Sequence, residues 1–340
     1  MRTHSNIPFF IPHSGCNNSC VFCSQVKITG RSRTQPVLEE EIKLLKQTVE
    51  ESLSTLPKGI DVQLAFFGGS FTGIEPDRMT ALLEAGYRYI EDGRIKGIRI
   101  STRPDYINEK ILAVLKRYGV TDIELGIQSI NDRVLEASAR GHNSSVSYKS
   151  AEQIKKHSLG LVGQMMIGLP LSTLSDELNT ADAIIKMGAY GARIYPTVVF
   201  ADTTLYDMTI RGLYAPLTDD EAVERSALCL NRFIASGVRV LKIGLHSTES
   251  LAEAKYGANH PAIGELVKAR VYYHRLCEEL RGYNCHNREA VIYIKDGERS
   301  KLTGHGGRTI KELKDKFGLK NIEIMIANTQ PYHPIIKVKE

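Results

Sequence analysis

Short apolar runs rich in β-branched residues alternate with longer amphipathic runs, and this alternation restricts the fold of the chain more than any other feature. Strands that are separated by single helices pair in parallel, because each helix returns the chain to the starting edge of the sheet. Six such repeats predict an α/β fold, a (β/α)6 partial barrel of the TIM type. The strands are predicted at Phe9–His13, Val62–Gly68, Gly97–Thr102, Asp122–Gln128, Val162–Gly168 and Ala192–Val199. The helices are predicted near Glu39–Ser54, Asp77–Ile90, Glu109–Tyr118, Val146–His157, Ser175–Met187 and Asp219–Ala235.

The pattern changes after Val238–Leu245, so we expect three parts. They are a barrel core over residues 1–245, a helical extension over 246–284 and a compact α+β module over 285–340. The elements expected in the last two parts are a helix at Pro261–Glu279, a strand at Ala290–Ile294, a helix at Thr309–Phe317 and strands at Ile322–Ile326 and Ile335–Val338.

Composition excludes several classes of protein. No stretch approaches the about 18 apolar residues that span a bilayer, and the N-terminal apolar run is too short for a secretory signal. We therefore expect a cytoplasmic protein with no membrane partner. Three of the six cysteines fall within eight residues, a pattern that in the cytosol indicates metal binding rather than a disulfide framework.

Those three cysteines are Cys16, Cys20 and Cys23. Their spacing lets one loop place a thiolate on each of three irons of a [4Fe–4S] cluster, which leaves the fourth iron without a protein ligand. The spacing alone shows only a metal or a cluster, so zinc and another cluster type remain alternatives. Zinc normally takes four ligands, for which His13 is the nearby candidate.

The CxxxCxxC motif, with the aromatic Phe22 before its last cysteine, resembles the radical S-adenosylmethionine (SAM) superfamily. That resemblance implies SAM as a second cofactor at the open iron, with Cys16, Cys20 and Cys23 as the catalytic cluster ligands. It also implies a reducing electron donor such as ferredoxin or flavodoxin, and reductive cleavage of SAM to a 5′-deoxyadenosyl radical. The cofactor supplies the difficult chemistry, and the protein supplies position and exclusion of water.

The resemblance assigns SAM-contacting residues at the carboxyl ends of strands. Gly68, Gly69, Ser70 and Phe71 correspond to the segment that binds the methionyl amino group in this superfamily. Glycines at such a place let a ligand approach the backbone, although a tight turn has the same composition.

Further candidates come from the next strands. Gln128 and Arg140 resemble residues that contact SAM in oxygen-independent coproporphyrinogen oxidases and Elp-three-like proteins, where Gln can bond ribose hydroxyls and Arg the carboxylate. Ser101 stands where those families usually carry Glu. Gln164 and Tyr195 are pocket candidates because barrel sites draw on strand ends. Two methionines are expected to pack in the core, Met165 and Met166.

Several motifs in order resemble Elp-three, the catalytic subunit of Elongator, which modifies C5 of the tRNA wobble uridine with SAM and acetyl-CoA. They are Ser101–Tyr106, Gly126–Ser129, Arg140–His142, Tyr195–Thr197, Leu205–Tyr206 and Gly212–Tyr214. The chain departs from that family in its closer cysteine spacing. The about 95 residues after Leu245 are also too few for an acetyltransferase domain, whose size is of the order of a whole domain. Transfer from acetyl-CoA is therefore not expected.

The last sixth of the chain contains a GxxG sequence before a basic helix. In KH domains such a loop clamps a nucleic-acid backbone, because bare glycines admit phosphates and a helix N-terminus favours negative charge. A Gly-rich turn before a surface helix is the alternative. The RNA-binding candidates are Lys301, Gly304, His305, Gly306, Gly307, Arg308, Lys311 and Lys314.

Together these features predict a radical SAM enzyme that modifies RNA, with tRNA and its wobble uridine as the expected substrate. Two alternatives remain at this stage. One is an enzyme or haem chaperone like the coproporphyrinogen oxidases, acting on a small molecule or porphyrin. The other is a cluster-bearing RNA-binding protein without catalysis. The sequence does not determine the oligomeric state.

Overall fold

A computed structural model describes residues 4–11, 16, 20–24, 36–245 and 249–339, with side chains from 251 in the last range. Its largest sheet has seven parallel strands in the order β1-β2-β3-β4-β5-β6-β8, curled as a half-barrel. These strands are β1 His4–Phe10, β2 Asp61–Phe67, β3 Gly97–Thr102, β4 Val120–Gln128, β5 Gly160–Ile167, β6 Gly191–Pro196 and β8 Arg239–Ile243. The sequential order confirms a chain of βα units.

Helices pack on one side of this sheet around an extended apolar core. Two of them begin with reciprocal capping boxes, at Thr173 and Thr218, in which the threonine side chain and the third helical residue each bond the other's backbone. The helices up to β8 are α1 Leu38–Thr55, α2 Pro76–Glu91, α3 Glu109–Arg117, α4 Asp132–Ala137, α5 Ser144–Lys156, α6 Leu174–Lys186, α7 Thr204–Ile210 and α8 Asp219–Ala235. No helix in the described ranges is long and apolar enough to cross a bilayer.

The partial barrel is confirmed, but its strand number differs from the prediction. Arg239–Ile243 pairs in parallel with β6 and forms a seventh strand, where the sequence pattern indicated six repeats. The predicted strand Ala192–Val199 divides into β6 and β7 (Val198–Val199). β7 leaves the sheet to pair with β9 (Tyr256–Gly257), which follows α9 (Glu249–Ala252).

The first strand begins earlier than predicted. β1 ends at Phe10, whereas the prediction placed a strand at Phe9–His13, whose last two residues lie outside the described ranges. Ser5, Ile7 and Phe9 alternate as its buried positions. A small polar residue at the first of these positions interrupts the apolar run that identifies a strand in the sequence.

The C-terminal module is a three-stranded sheet with helices on one face. β10 (Glu289–Ile294) lies between the parallel β11 (Asn321–Ile326) and the antiparallel β12 (Ile335–Val338). Its core contacts α10 (Ile263–Leu280) through Tyr272, Leu276 and Leu280. The Gly-rich turn contains a short helix that the sequence did not indicate, α11 (Arg299–Thr303), before α12 (Arg308–Phe317). The division of the chain at residue 284 stays a prediction.

Three helices, α8, α10 and α12, run side by side in the same direction. Arg308 at the start of α12 pairs with Asp220 at the start of α8, 2.9 Å away. Further along, Arg270 of α10 pairs with Glu224 at 2.6 Å and with Glu312 at 2.9 Å. The start of α10 lies close to the end of β8. A Cβ built on Gly264 would lie only 3.1 Å from the Ile243 carbonyl oxygen. The loop before α12 therefore lies at the carboxyl end of the barrel strands.

One buried hydroxyl ties α10 to the module. Tyr272 donates to Glu298 at 2.6 Å and accepts from the Tyr332 backbone N–H at 3.1 Å. We expect Tyr272→Phe to lower the free energy of unfolding by about 1–3 kcal/mol, because a buried carboxylate loses a donor. Urea denaturation measures the loss, with Tyr283→Phe, an exposed tyrosine, as control. Equal midpoints for both variants would contradict the expectation.

Candidate active site

Most of the predicted site residues line one cavity of about 250 Å³ at the carboxyl ends of the strands. This edge is the one at which ligands bind in parallel α/β barrels. The predicted residues that the cavity brings together are Cys16, Cys20, Phe22, Cys23, Gly68, Gly69, Ser70, Ser101, Gln128, Arg140, Gln164 and Tyr195.

Positive charge surrounds the described cysteines. Arg140 Nη1 lies 3.4 Å and Arg103 Nη1 3.8 Å from Cys20 Sγ, and Ser70 Oγ lies 3.2 Å from Cys16 Sγ. Burial raises the pKa of the Cys16 thiol, while the Ser70 hydroxyl and the two guanidinium groups act to lower it. Guanidinium groups stabilise thiolates, the form that binds iron, so this setting fits an anionic cluster. The sequence analysis did not select Arg103, although the residue follows β3 directly.

The strand ends beside the cysteines are shaped for a close ligand. Gly68 and Gly69 have φ of 86° and 28°, and Gln128, which is not a glycine, has a φ of 67° at a register shift in β4. A Cβ on Gly126 would lie 3.0 Å from both Arg140 Nη2 and Gln128 Nε2. Among the described residues, the buried Gln128 Oε1 has no hydrogen-bond partner. An acceptor held without a partner in a strained backbone fits a bound group with hydroxyl donors, as SAM has.

The Phe71 side chain lies apart from the other three residues of its segment, and its assignment as a SAM contact stays a prediction. Its side chain is fully buried, stacks on Phe66 with ring centroids 4.6 Å apart, and does not line the cavity. The four-residue segment therefore divides, with its first three residues at the cavity and the phenyl ring in the core.

A buried ionic group forms the floor of the cavity. Glu124 accepts from Arg193 at 2.8 Å, and the Arg99 guanidinium lies 3.4 Å from the same carboxylate oxygen. Gln164 donates to the other carboxylate oxygen at 2.9 Å and to Ser101 Oγ at 3.3 Å. The sequence analysis missed the three charged residues. The available signal was a charged residue inside predicted strands that are otherwise largely apolar, Arg99 in β3, Glu124 in β4 and Arg193 in β6.

Tyr195 belongs to the same group. The Arg193 guanidinium lies 3.3 Å from the Tyr195 hydroxyl and 5.2 Å from the centroid of the Phe67 ring. Burial raises the pKa of Tyr195, so its hydroxyl stays a neutral donor at physiological pH. Met165 is buried in the core as expected, but Met166 lines the cavity. The prediction for Met166 was wrong because successive strand residues point to opposite faces.

The remaining cysteines are Cys229, Cys277 and Cys285, all free and buried. Cys285 Sγ lies 3.6 Å from the Leu280 carbonyl oxygen and 3.5 Å from that of Tyr283. Within the described ranges, no three His, Cys, Asp or Glu side chains are grouped to hold a single metal ion. His13, the candidate fourth zinc ligand, lies outside those ranges.

The GxxG loop connects α11 and α12 and lies partly open. Gly306 and Gly307 have φ of 60° and 74°, and no atom lies within 4 Å of a Cβ built on either. Gly304 instead packs against Ala269 of α10. The open positions of the loop, Gly306 and Gly307, can admit a ligand to the backbone.

The basic residues near this loop differ in their availability. Lys301 pairs with Glu298, and Arg308 is shared by Asp220 and Glu312. In the part of the chain that the structure describes, Lys311 and Lys314 have no acidic partner within 4.0 Å. Four basic side chains were predicted to contact phosphates. Lys301 and Arg308 would have to give up an ion pair to do so, whereas Lys311 and Lys314 would not.

The buried ionic group at the floor of the cavity is expected to contribute to the stability of the fold. Glu124→Gln leaves two guanidinium groups close together without the carboxylate between them, so we expect a loss of about 3–5 kcal/mol in the free energy of unfolding. Chemical denaturation measures it, with the exposed Glu84→Gln as control, where a change within about 0.5 kcal/mol is expected. A Glu124→Gln loss no larger than the control would show that the ionic group does not stabilise the fold.

The chain is similar in sequence to known protein families. The family model of the Radical SAM superfamily matches residues 10–184, and that of the Radical_SAM C-terminal domain matches residues 189–273. The tRNA uridine(34) acetyltransferase of Methanocaldococcus jannaschii is 33% identical over 134 residues, 38% of this chain and 25% of that protein. Elongator complex protein 3 of Homo sapiens is 26% identical over 305 residues, 78% of this chain and 54% of that protein.

A solved structure has the same fold. Elp3 of the archaeon Methanocaldococcus infernus superposes with a TM-score of 0.61 at 21% identity, over 83% of this chain and 64% of that one. An uncharacterized protein of M. jannaschii is 26% identical over 62% of this chain and 65% of its own length. The matched segments thus span between a quarter and two thirds of these curated relatives. With the superfamily model covering more than half of its residues, the chain belongs to the radical SAM superfamily.

Proposed function

We propose that the chain is a radical SAM enzyme that modifies tRNA, with the wobble uridine as its target. The observation that carries the proposal is the position of two features at the same end of the barrel. One is the cavity that gathers Cys16, Cys20 and Cys23, and the other is the open GxxG loop of Gly304–Gly307. An enzyme acting on RNA needs its reacting centre and its strand-binding surface on one face.

The cysteines would hold a [4Fe–4S] cluster, which with SAM supplies a 5′-deoxyadenosyl radical when reduced by a donor such as ferredoxin or flavodoxin. The chain's own residues then have separable tasks. Backbone groups of Gly68 and Gly69 would bind the methionyl amino group, and Gln128 Oε1 would accept from ribose hydroxyls. Arg103 and Arg140 offset the negative charge of the thiolates.

The charged floor would orient the reacting nucleoside. Arg193, Gln164 and Tyr195 bring donors to one wall of the cavity, and Glu124 fixes the first two. Donors held in place before the substrate binds need no reorganisation during reaction. Apolar side chains line another part of the cavity and would limit the access of water, which protects a reactive radical. They are Val198, Phe200, Leu245 and Leu251.

The proposed substrate class is supported by the C-terminal module and by the relatives of the chain. The GxxG loop lies between two helices, as in a KH-like module, and Lys311 and Lys314 carry unpaired positive charge in the described structure. Relatives named tRNA uridine(34) acetyltransferase support uridine 34 as the target. The transferred group is left open in the proposal, which includes no acetyl transfer.

The radical chemistry is tested first in anaerobically reconstituted protein. With SAM, dithionite and tRNA we expect 5′-deoxyadenosine, detected by mass spectrometry. The triple change Cys16→Ala, Cys20→Ala and Cys23→Ala should abolish it together with the cluster absorbance. Cys285→Ser is the control, since that thiol is buried in the module. Zinc in place of iron and sulfide in the unaltered protein would overturn the proposal.

RNA binding is tested separately through the loop. Gly306→Asp with Gly307→Asp should lower tRNA affinity at least 10-fold and reduce its salt dependence, because two carboxylates would stand where phosphates bind. The control, Gly59→Asp with Gly237→Asp, adds the same charge at positive φ in open positions. Equal affinities of the two variants would exclude the loop from RNA binding. Mass spectrometry of tRNA nucleosides from a deletion strain then identifies the modified base.

A further inference from the structure

Two tyrosines form an aromatic pair at the surface, in which Tyr256 is exposed and Tyr206 is half-buried. Tyr256 of β9 and Tyr206 of α7 have ring centroids 6.1 Å apart and planes inclined by 46°. The Tyr256 residue is 39% exposed, and within the described ranges its hydroxyl makes no hydrogen bond. Because the rings are tilted rather than stacked on each other, they leave aromatic surface available to a third ring.

The pair lies beside residues that line the cavity. Tyr256 is the register partner of Val199, whose side chain packs with Val21 and Leu205, and both Tyr206 and the cavity-lining Phe22 pack against this cluster. In addition, the Leu205 N–H donates to the Val21 carbonyl at 2.8 Å. That bond holds α7 against the segment between Cys20 and Cys23. A base on the tyrosine pair would therefore be a neighbour of a nucleoside in the cavity.

The segment that begins at Tyr256 leads toward the GxxG loop. His260 lies four positions after Tyr256, so their Cα atoms are at most about 14 Å apart. The His260 backbone N–H donates to Asp219 at 3.3 Å, and its ring lies 6.1 Å from the ring of His305 in the GxxG loop. A short segment, Tyr256 to His260, thus connects the tyrosine pair to the GxxG loop.

Backbone packing holds Tyr256 in place. A Cβ on the next residue, Gly257, would lie 2.5 Å from the Thr197 carbonyl oxygen, so only glycine allows β9 to come this close. The following Ala258 N–H donates to the same carbonyl at 3.1 Å. An aromatic ring on a fixed strand loses little freedom on binding, which favours stacking. The exposed Lys255 supplies a positive charge beside it.

We propose that Tyr256, supported by Tyr206, stacks on an unpaired base of the RNA strand between the GxxG loop and the nucleoside in the cavity. The inference rests on the proposed function and adds a binding step to it. Proteins hold single-stranded nucleic acid by combining exposed aromatic rings with nearby positive charge, and the ring tolerates any base. Tyr256 is a binding residue here and has no part in the radical step.

The test uses the full-length protein and a tRNA anticodon stem-loop. Tyr256→Ala should lower affinity about 5- to 150-fold, the range for losing one aromatic–base stack. Tyr256→Phe should retain affinity, because stacking needs the ring and not the hydroxyl. Tyr283→Ala is the matched control, a tyrosine 44% exposed just beyond the other end of α10. With 2-aminopurine placed beside the target, fluorescence should be quenched by the unaltered protein and recovered with Tyr256→Ala.

The outcomes separate the two proposals. If Tyr256→Ala binds RNA as tightly as the unaltered protein while the Gly306→Asp, Gly307→Asp variant does not, the stacking inference is wrong and RNA modification still stands. In that case the exposed ring faces a different partner, such as another protein. If the unaltered protein binds no RNA at all, both proposals fail.

Discussion

Parallel pairing of seven strands is the constraint on which the rest of the structure depends. Because every strand of the half-barrel runs in the same direction, residues far apart in sequence meet at one edge. Cys16 and Cys20, Ser70 after β2, Arg103 after β3 and Arg140 after β4 thus come within contact distance. No one of these segments could build the site alone, since each supplies one or two polar groups.

The interior of the half-barrel adds a second constraint. Glu124 is buried between Arg99 and Arg193, and such a group is stable only when every charge keeps its partners. The same ionic group fixes Gln164 and Tyr195 at the cavity floor. Stability and site geometry therefore depend on the same side chains, and a substitution there affects both.

The C-terminal module is positioned by ion pairs together with α10, whose apolar side chains pack in both the barrel core and the core of the module. The chain of charges from Asp220 through Arg308, Glu312 and Arg270 to Glu224 keeps α12 parallel to α8 and α10. This parallel arrangement of the three helices places the GxxG loop at the end of the barrel that holds the cavity. Salt weakens exposed ion pairs, so the position of the module depends on ionic strength, as the proposed RNA binding would.

Sequence patterns determined the parallel α/β architecture, because the alternation of apolar and amphipathic runs reports local periodicity. The cysteine spacing determined the candidate cluster loop, since a CxxxCxxC motif lies within one short segment. Only the tertiary structure decided which polar residues meet. The ionic group of Glu124 joins strands whose pairing no local pattern records, and Phe71 turns into the core because its ring stacks on Phe66. Strand β8 and the Tyr206–Tyr256 pair were equally hidden, because each exists through contacts between distant segments.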